Sequence, residues 1–152
     1  MRKEVKLPTV LIATFFWIGF VSAISFLESW LKFQAPGITV PLGLGIGRLV
    51  FAAVNKVEWV MVLIILMTMF KAKENFLQRK YITLYIPIGI LLLQTIWLLP
   101  VLDGRAQMHI EGLDVPASNI HHIFPAFEVV KVVCLVILGY SLFSPAAMVQ
   151  KR

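Results

Sequence analysis

The chain has a single cysteine, Cys134, so no intrachain disulfide can form and the fold must be held by packing alone. Charge is scarce as well: Asp, Glu, Lys and Arg make up 14% of the residues, while 59% are hydrophobic and the mean hydropathy is +0.87. A soluble domain of ordinary composition carries about 25% charged residues, so the deficit points to one integral membrane domain spanning residues 1–152. Internal repeats and low-complexity tracts are absent. So are the strong catalytic signatures. There is no Ser-His-Asp order and no zinc-type cysteine spacing, and the segment Gly43-Leu-Gly-Ile-Gly47-Arg48 is no phosphate loop, because no strand precedes it and no Lys-Ser/Thr follows. Lys and Arg outnumber Asp and Glu by 14 to 8, but they sit in short runs between apolar stretches and not on one helical face. Nucleic acid is therefore not expected as a partner.

What the chain has is long apolar runs. About 20 helical residues cross the hydrocarbon core, and Leu7 to Leu27, Tyr81 to Leu102 and Val132 to Gln150 approach or exceed that length without a charge. Trp59 to Phe70 is too short alone, but extension back through Glu58, Lys56 and Asn55 gives a helix with a polar beginning. The last span starts earlier than its uncharged run, near Asn119, with Pro116 and Ser118 as start signals. The expected architecture is all-α: a polytopic four-helix transmembrane bundle with spans at about 7–28, 55–70, 81–102 and 119–143. The first run is too long for a signal-peptide core, so a retained helix is expected. Between the first two spans, Pro36-Gly37 turns the chain, and the Gly-rich stretch from Pro41 to Val54 reads as an interfacial or re-entrant helix leading into the second span. There Gly43 and Gly47 form a small-xxx-small pair that lets another helix approach closely.

Orientation follows from the cations. Arg2, Lys3 and Lys6, then Lys71, Lys73, Arg79 and Lys80, and finally Lys151 and Arg152 all fall on one side of a four-span protein. The positive-inside rule makes that side cytoplasmic, with both termini inside, in a cell membrane and most simply a bacterial inner membrane.

Ionisable residues inside spans cost roughly 2.5 to 3.5 kcal/mol each on insertion scales and persist where they face a bundle interior. Glu128 and Lys131 lie in the otherwise apolar stretch Ile123 to Phe143, with His121 and His122 upstream. Polar residues gather toward the non-cytoplasmic side: Glu28 and Trp30, then Arg48, Asn55, Lys56 and Glu58, then Asp103, Arg105 and His109. Seven residues return almost to the same helical face, which pairs His121 with Glu128 and Arg48 with Asn55. One reading neutralises Glu28, Glu58 and Glu128 with Arg48, Lys56 and Lys131 as a network that fixes helix register. The other makes Glu28, Arg48, Glu58, Arg105, His121, Glu128 and Lys131 the wall of a polar cavity open to the non-cytoplasmic side, with Glu128 and His121 as the titrating pair. Pro125 fits the second reading if it lies within the helix, because it frees the carbonyl of His121; a first-turn proline in a later-starting helix is the alternative.

A cofactor is not specified by these residues. His109, His121 or His122 with Glu28 or Glu128 have the donor chemistry for a metal ion or haem, but adjacent histidines point about 100° apart on a helix. The Glu-x-x-His pairs of di-iron bundles are also absent, Lys131 standing at the third position after Glu128.

Trp17-x-Gly19 and Ser25-Phe26, the segment Gly47-Arg48-Leu-Val-Phe51, Pro100, Arg105 and His121 resemble a group of small four-helix bacterial membrane proteins of unsettled activity. That group is itself distantly similar to the cisplatin-resistance-associated transmembrane proteins and to anthrone-oxygenase-like membrane proteins. The resemblance covers most of the chain and implies Arg105 and His121 as family-like polar positions. The chain departs from it at Phe124 and Glu128, where the group commonly has a small hydroxyl residue and an asparagine. The functional expectation is a membrane protein that binds or moves a small molecule, ion or proton. The alternatives are a membrane-embedded, oxidoreductase-like enzyme acting on a lipophilic substrate and an accessory subunit of a membrane complex. Expected partners are the lipid bilayer and a second copy or a membrane-complex subunit, because four helices without inverted repeats are few for alternating access.

Overall fold

The structure is a computed structural model and describes residues 3–5, 7–116 and 118–145, without the side chains at 3, 4, 80, 121, 122, 144 and 145. Four helices carry the chain: α1 (Pro8–Gln34), α2 (Val40–Lys71), α3 (Ile82–Ile110) and α4 (Ile120–Ser141). Each is long and apolar enough to cross a membrane. Pro8 opens α1, where its missing N–H costs nothing, and the Thr39 hydroxyl caps α2 by accepting the Leu42 N–H. The Ser118 hydroxyl accepts the Ile120 N–H at 3.2 Å, so the expected start signal of the last helix operates one residue before Asn119.

The Gly-rich stretch is helical and runs without a break into the second span. No separate element stands between the first two spans, because nothing after Thr39 interrupts the backbone ladder; the connection shrinks to residues 35–39. At 1.5 Å per residue, α2 is about 48 Å long, well beyond a hydrocarbon core of about 30 Å. Its small pair has the expected use. The last turn of α1 lies against it, with the Phe33 ring on Gly43 and the Lys32 ammonium 3.1 Å from where a Cβ on Gly47 would stand.

Each helix packs against its neighbours in sequence, and α4 closes onto α1, giving a four-membered ring. The buried stripes have helical spacing: Val10, Ala13, Trp17 and Val21 on α1, Val54, Glu58, Val62, Ile65 and Met69 on α2, Leu84, Leu91, Gln94 and Leu98 on α3, and Phe124, Glu128, Lys131, Leu135, Leu138 and Leu142 on α4. The outward faces are equally apolar, with Phe16, Leu49, Met67, Ile96 and Ile137 exposed where lipid would lie. The first and last described segments meet at one end of the bundle, where β1 (Lys3–Val5) pairs antiparallel with β2 (Phe143–Pro145). The 72–78 connection is at that same end, called here the basic end, with Phe76 packed against the core. The Tyr81 hydroxyl donates to Glu74 at 2.7 Å, and burial together with that carboxylate pushes its phenol above the usual range.

Two helix ends share one motif. At α3, Gly112 has φ 72°, its N–H bonds the His109 carbonyl, and Leu113 bonds Met108. At α2 the same pattern runs from Lys73 to Phe70 and from Glu74 to Met69, with Lys73 at φ 52°. Glycine is the usual residue there, and a side chain in the left-handed region costs roughly 1–2 kcal/mol.

Candidate functional site

Near the middle of the bundle the four buried stripes each contribute a polar side chain to one cluster. Lys131 of α4 is its centre, placing its ammonium 2.5 Å from Glu58 Oε1, 2.7 Å from Gln94 Oε1 and 3.0 Å from Glu128 Oε1. The ammonium donates hydrogen bonds to Glu58 and Gln94 and forms an ion pair with Glu128 on its own helix. Gln94 is held at both ends, since its amide N–H donates to Glu128 Oε1 at 2.7 Å while its oxygen accepts from Lys131. The indole N–H of Trp17 adds a second donor to Glu58 Oε1 at 2.7 Å. Glu58, Gln94, Glu128 and Lys131 are 2%, 1%, 0% and 0% exposed, so water does not screen these charges.

The cluster is unbalanced. Two carboxyl groups share one ammonium, and Glu128 Oε2 is buried without a hydrogen-bond partner. An unpaired buried charge is far more costly than a paired one, so the imbalance needs a proton or another positive group. The only other buried side-chain oxygen of this kind among the described residues is Ser25 Oγ, on the segment of α1 that packs against α2 and α4.

Backbone irregularities flank the cluster in two helices. In α1, Ser22–Glu28 has i→i+5 bonding, closed by the Ser29 N–H on the Ile24 carbonyl. In α3 the same occurs over Gln94–Leu98, closed by Leu99 on Gln94, just before Pro100, which cannot donate to Ile96. The extra residue in α3 lets consecutive side chains serve different helices. Gln94 enters the cluster, while Thr95 accepts from Asn55 at 2.9 Å and from Trp59 at 3.0 Å on α2. Pro125 is inside α4, which begins at Ile120, so the His121 carbonyl has no N–H from residue 125 and the first-turn alternative does not apply. One turn before Glu128, Phe124 meets Phe51 of α2 edge to face, centroids 4.9 Å apart, on the far side of the cluster from the basic end.

Of the seven expected site residues, three come together: Glu58, Glu128 and Lys131. Glu28 pairs with Lys32 at 3.3 Å. Arg48 holds Asp103 through two bonds of 2.5 and 2.9 Å and also donates to Gln107. This corrects the expected Glu28–Arg48 neutralisation: Arg48 sits at the bundle end, 29% exposed, where α2 meets the extension of α3. Lys56 is exposed and Lys131, not Lys56, neutralises Glu58, because residues 56 and 58 point about 200° apart on one helix. Arg105 donates to the Pro116 carbonyl at 2.5 Å and ties down the 111–119 connection. His109 is exposed at the end of α3, and the side chains of His121 and His122 lie outside the described residues, so their pairing with Glu128 does too.

The expected open cavity is not what forms: the three clustered side chains are 0–3% exposed and sealed among the helices. Nor do three or more His, Cys, Asp or Glu side chains among the described residues converge on a point that would hold a metal ion. Sequence reasoning missed Gln94 and Trp17. The signal for Gln94 was there, a polar residue on the Leu84, Leu91, Leu98 stripe of an uncharged span. Compared with known proteins, the chain matches no family model, no curated protein and no solved structure.

Proposed function

We propose that the chain is a multi-pass membrane protein that takes up and releases one proton at the Glu58–Lys131–Glu128–Gln94 cluster, coupled to the passage of a small molecule or ion. The observation that carries this reading is the unequal count of buried charges together with the unpartnered Glu128 Oε2. Glu58 accepts two donors on one oxygen, Lys131 and Trp17, and is the carboxyl paired most closely with the ammonium. Glu128 is then the group that carries the proton, on Oε2, while Oε1 stays bonded to Gln94. Releasing that proton leaves an uncompensated buried anion, a state the bundle accommodates only by opening or by admitting a cation. The i→i+5 segments of α1 and α3 are where such a change would be absorbed, since they are the least regular parts of the helices around the site.

In this reading the basic end faces the cytoplasm and the protein resides in the bacterial inner membrane. Alternating access with four helices calls for more than one copy. A second reading, an accessory subunit whose cluster only fixes helix register, is favoured by the near-complete burial of Glu58, Gln94, Glu128 and Lys131. The test is proton uptake by purified protein in weakly buffered detergent, followed with a pH-sensitive dye across a pH jump. About one proton per chain, lost in Glu128→Gln, supports proton exchange; no uptake attributable to Glu128 leaves the register role.

A further inference from the structure

At the basic end, Leu66, Met67 and Phe70 of α2 and Phe76 of the following connection form an apolar groove on the bundle surface, with Lys71 as its fifth wall. Phe70 is 75% exposed and Leu77 93% exposed, so apolar side chains crowd the end of α2. Cations are close by in the chain, with Lys71 lining the groove itself. Lys71, Lys73 and Arg79 are exposed, and no ion pair joins any of them to another described residue. The nearby acid is engaged: Glu74 accepts the Tyr81 hydroxyl. Lys73 also occupies the left-handed helix-closing position that α3 gives to Gly112, so a positive side chain stands where glycine would be the easier residue.

We propose that this groove is a binding site for an anionic phospholipid, one acyl chain lying along Leu66, Met67, Phe70 and Phe76 and the phosphodiester held by Lys71 and Lys73. The occupant follows from complementarity. A free anion would leave the apolar walls unused, and a zwitterionic lipid would bring its own cation to a site already positive. The proposal is independent of the buried cluster, which lies closer to the middle of α2.

The test uses full-length protein stripped of lipid in detergent, with phosphatidylglycerol and phosphatidylcholine of identical chains added in mixed micelles and binding read by native mass spectrometry. Wild type should retain phosphatidylglycerol preferentially. The K71Q/K73G variant should lose roughly 25-fold in that affinity, about fivefold per lysine. Lys73→Gly relieves a strained position, so the variant's thermal midpoint without lipid should be no lower than that of wild type, which separates lost binding from lost fold. Equal retention of both lipids, an unchanged affinity in the variant, or equal thermal stabilisation by inorganic phosphate alone would each overturn the site.

Discussion

Replacing Lys131 by Met keeps the length of the side chain and removes the one positive charge of the cluster. Hydrogen bonds of 2.5 and 2.7 Å and an ion pair of 3.0 Å go with it, and Glu58 and Glu128 are left with only Trp17 and Gln94 as donors. Breaking a buried pair from one side costs about 3–5 kcal/mol, because the remaining charge is desolvated and unpaired. For a chain of this size each kcal/mol moves the midpoint by about 2–4 °C, so a loss of roughly 6–20 °C is expected. Circular dichroism melting in a mild detergent reads it. The triple variant K131M/E58Q/E128Q removes every charge while leaving hydrogen-bonding groups at each position, and should recover most of the loss. A Lys131→Met protein that melts within a degree or two of wild type would show that the ammonium is not buried between these carboxyls.

Three further outcomes follow from the geometry. Arg48→Ala, at an exposed bundle end where only Asp103 and Gln107 lose a partner, should cost no more than about 1 kcal/mol in a melting experiment. Gly43→Ala should destabilise by about 1 kcal/mol, because a Cβ there meets the Phe33 ring and forces that side chain aside; a protein as stable as wild type would mean that the Phe33 contact on Gly43 contributes nothing. In a Cys134→Ala background, single cysteines at positions 74–78 should resist an impermeant reagent applied to intact cells, and labelling from outside would reverse the orientation.

The architecture was legible because apolar runs of membrane length are a strong signal, and Glu128 and Lys131 were legible because charges on such a run are conspicuous. Two of the partners were not. Gln94 meets Lys131, and Trp17 meets Glu58, only because helix rotations bring their buried stripes together, and a sequence gives stripes more readily than the rotation of one against another. Gln94 carries no charge, so it did not stand out beside Arg48 and Glu28. Those two were drawn toward the interior by their charge alone, yet α2 and α3 extend past the apolar core and place Arg48 and Asp103 where they pair at the surface. The helix count was also easier than the helix lengths. The Gly-rich stretch read as a separate interfacial or re-entrant helix, whereas it is the first part of α2, with Gly43, Gly45 and Gly47 approached by Phe33, Ile110 and Lys32. The i→i+5 segments leave no mark in composition and were invisible until the backbone was seen.

The central claim is that the buried cluster is neutral by virtue of one exchangeable proton on Glu128. Infrared difference spectroscopy of detergent-solubilised protein, recorded across a pH titration, observes that proton through the carbonyl stretch of a protonated carboxylic acid. The account predicts such a band at neutral pH in wild type and Glu58→Asp, its absence in Glu128→Gln, and its loss when the proton is released at high pH. A wild-type spectrum without a protonated carboxyl band, or one in which the band survives Glu128→Gln, would contradict the account.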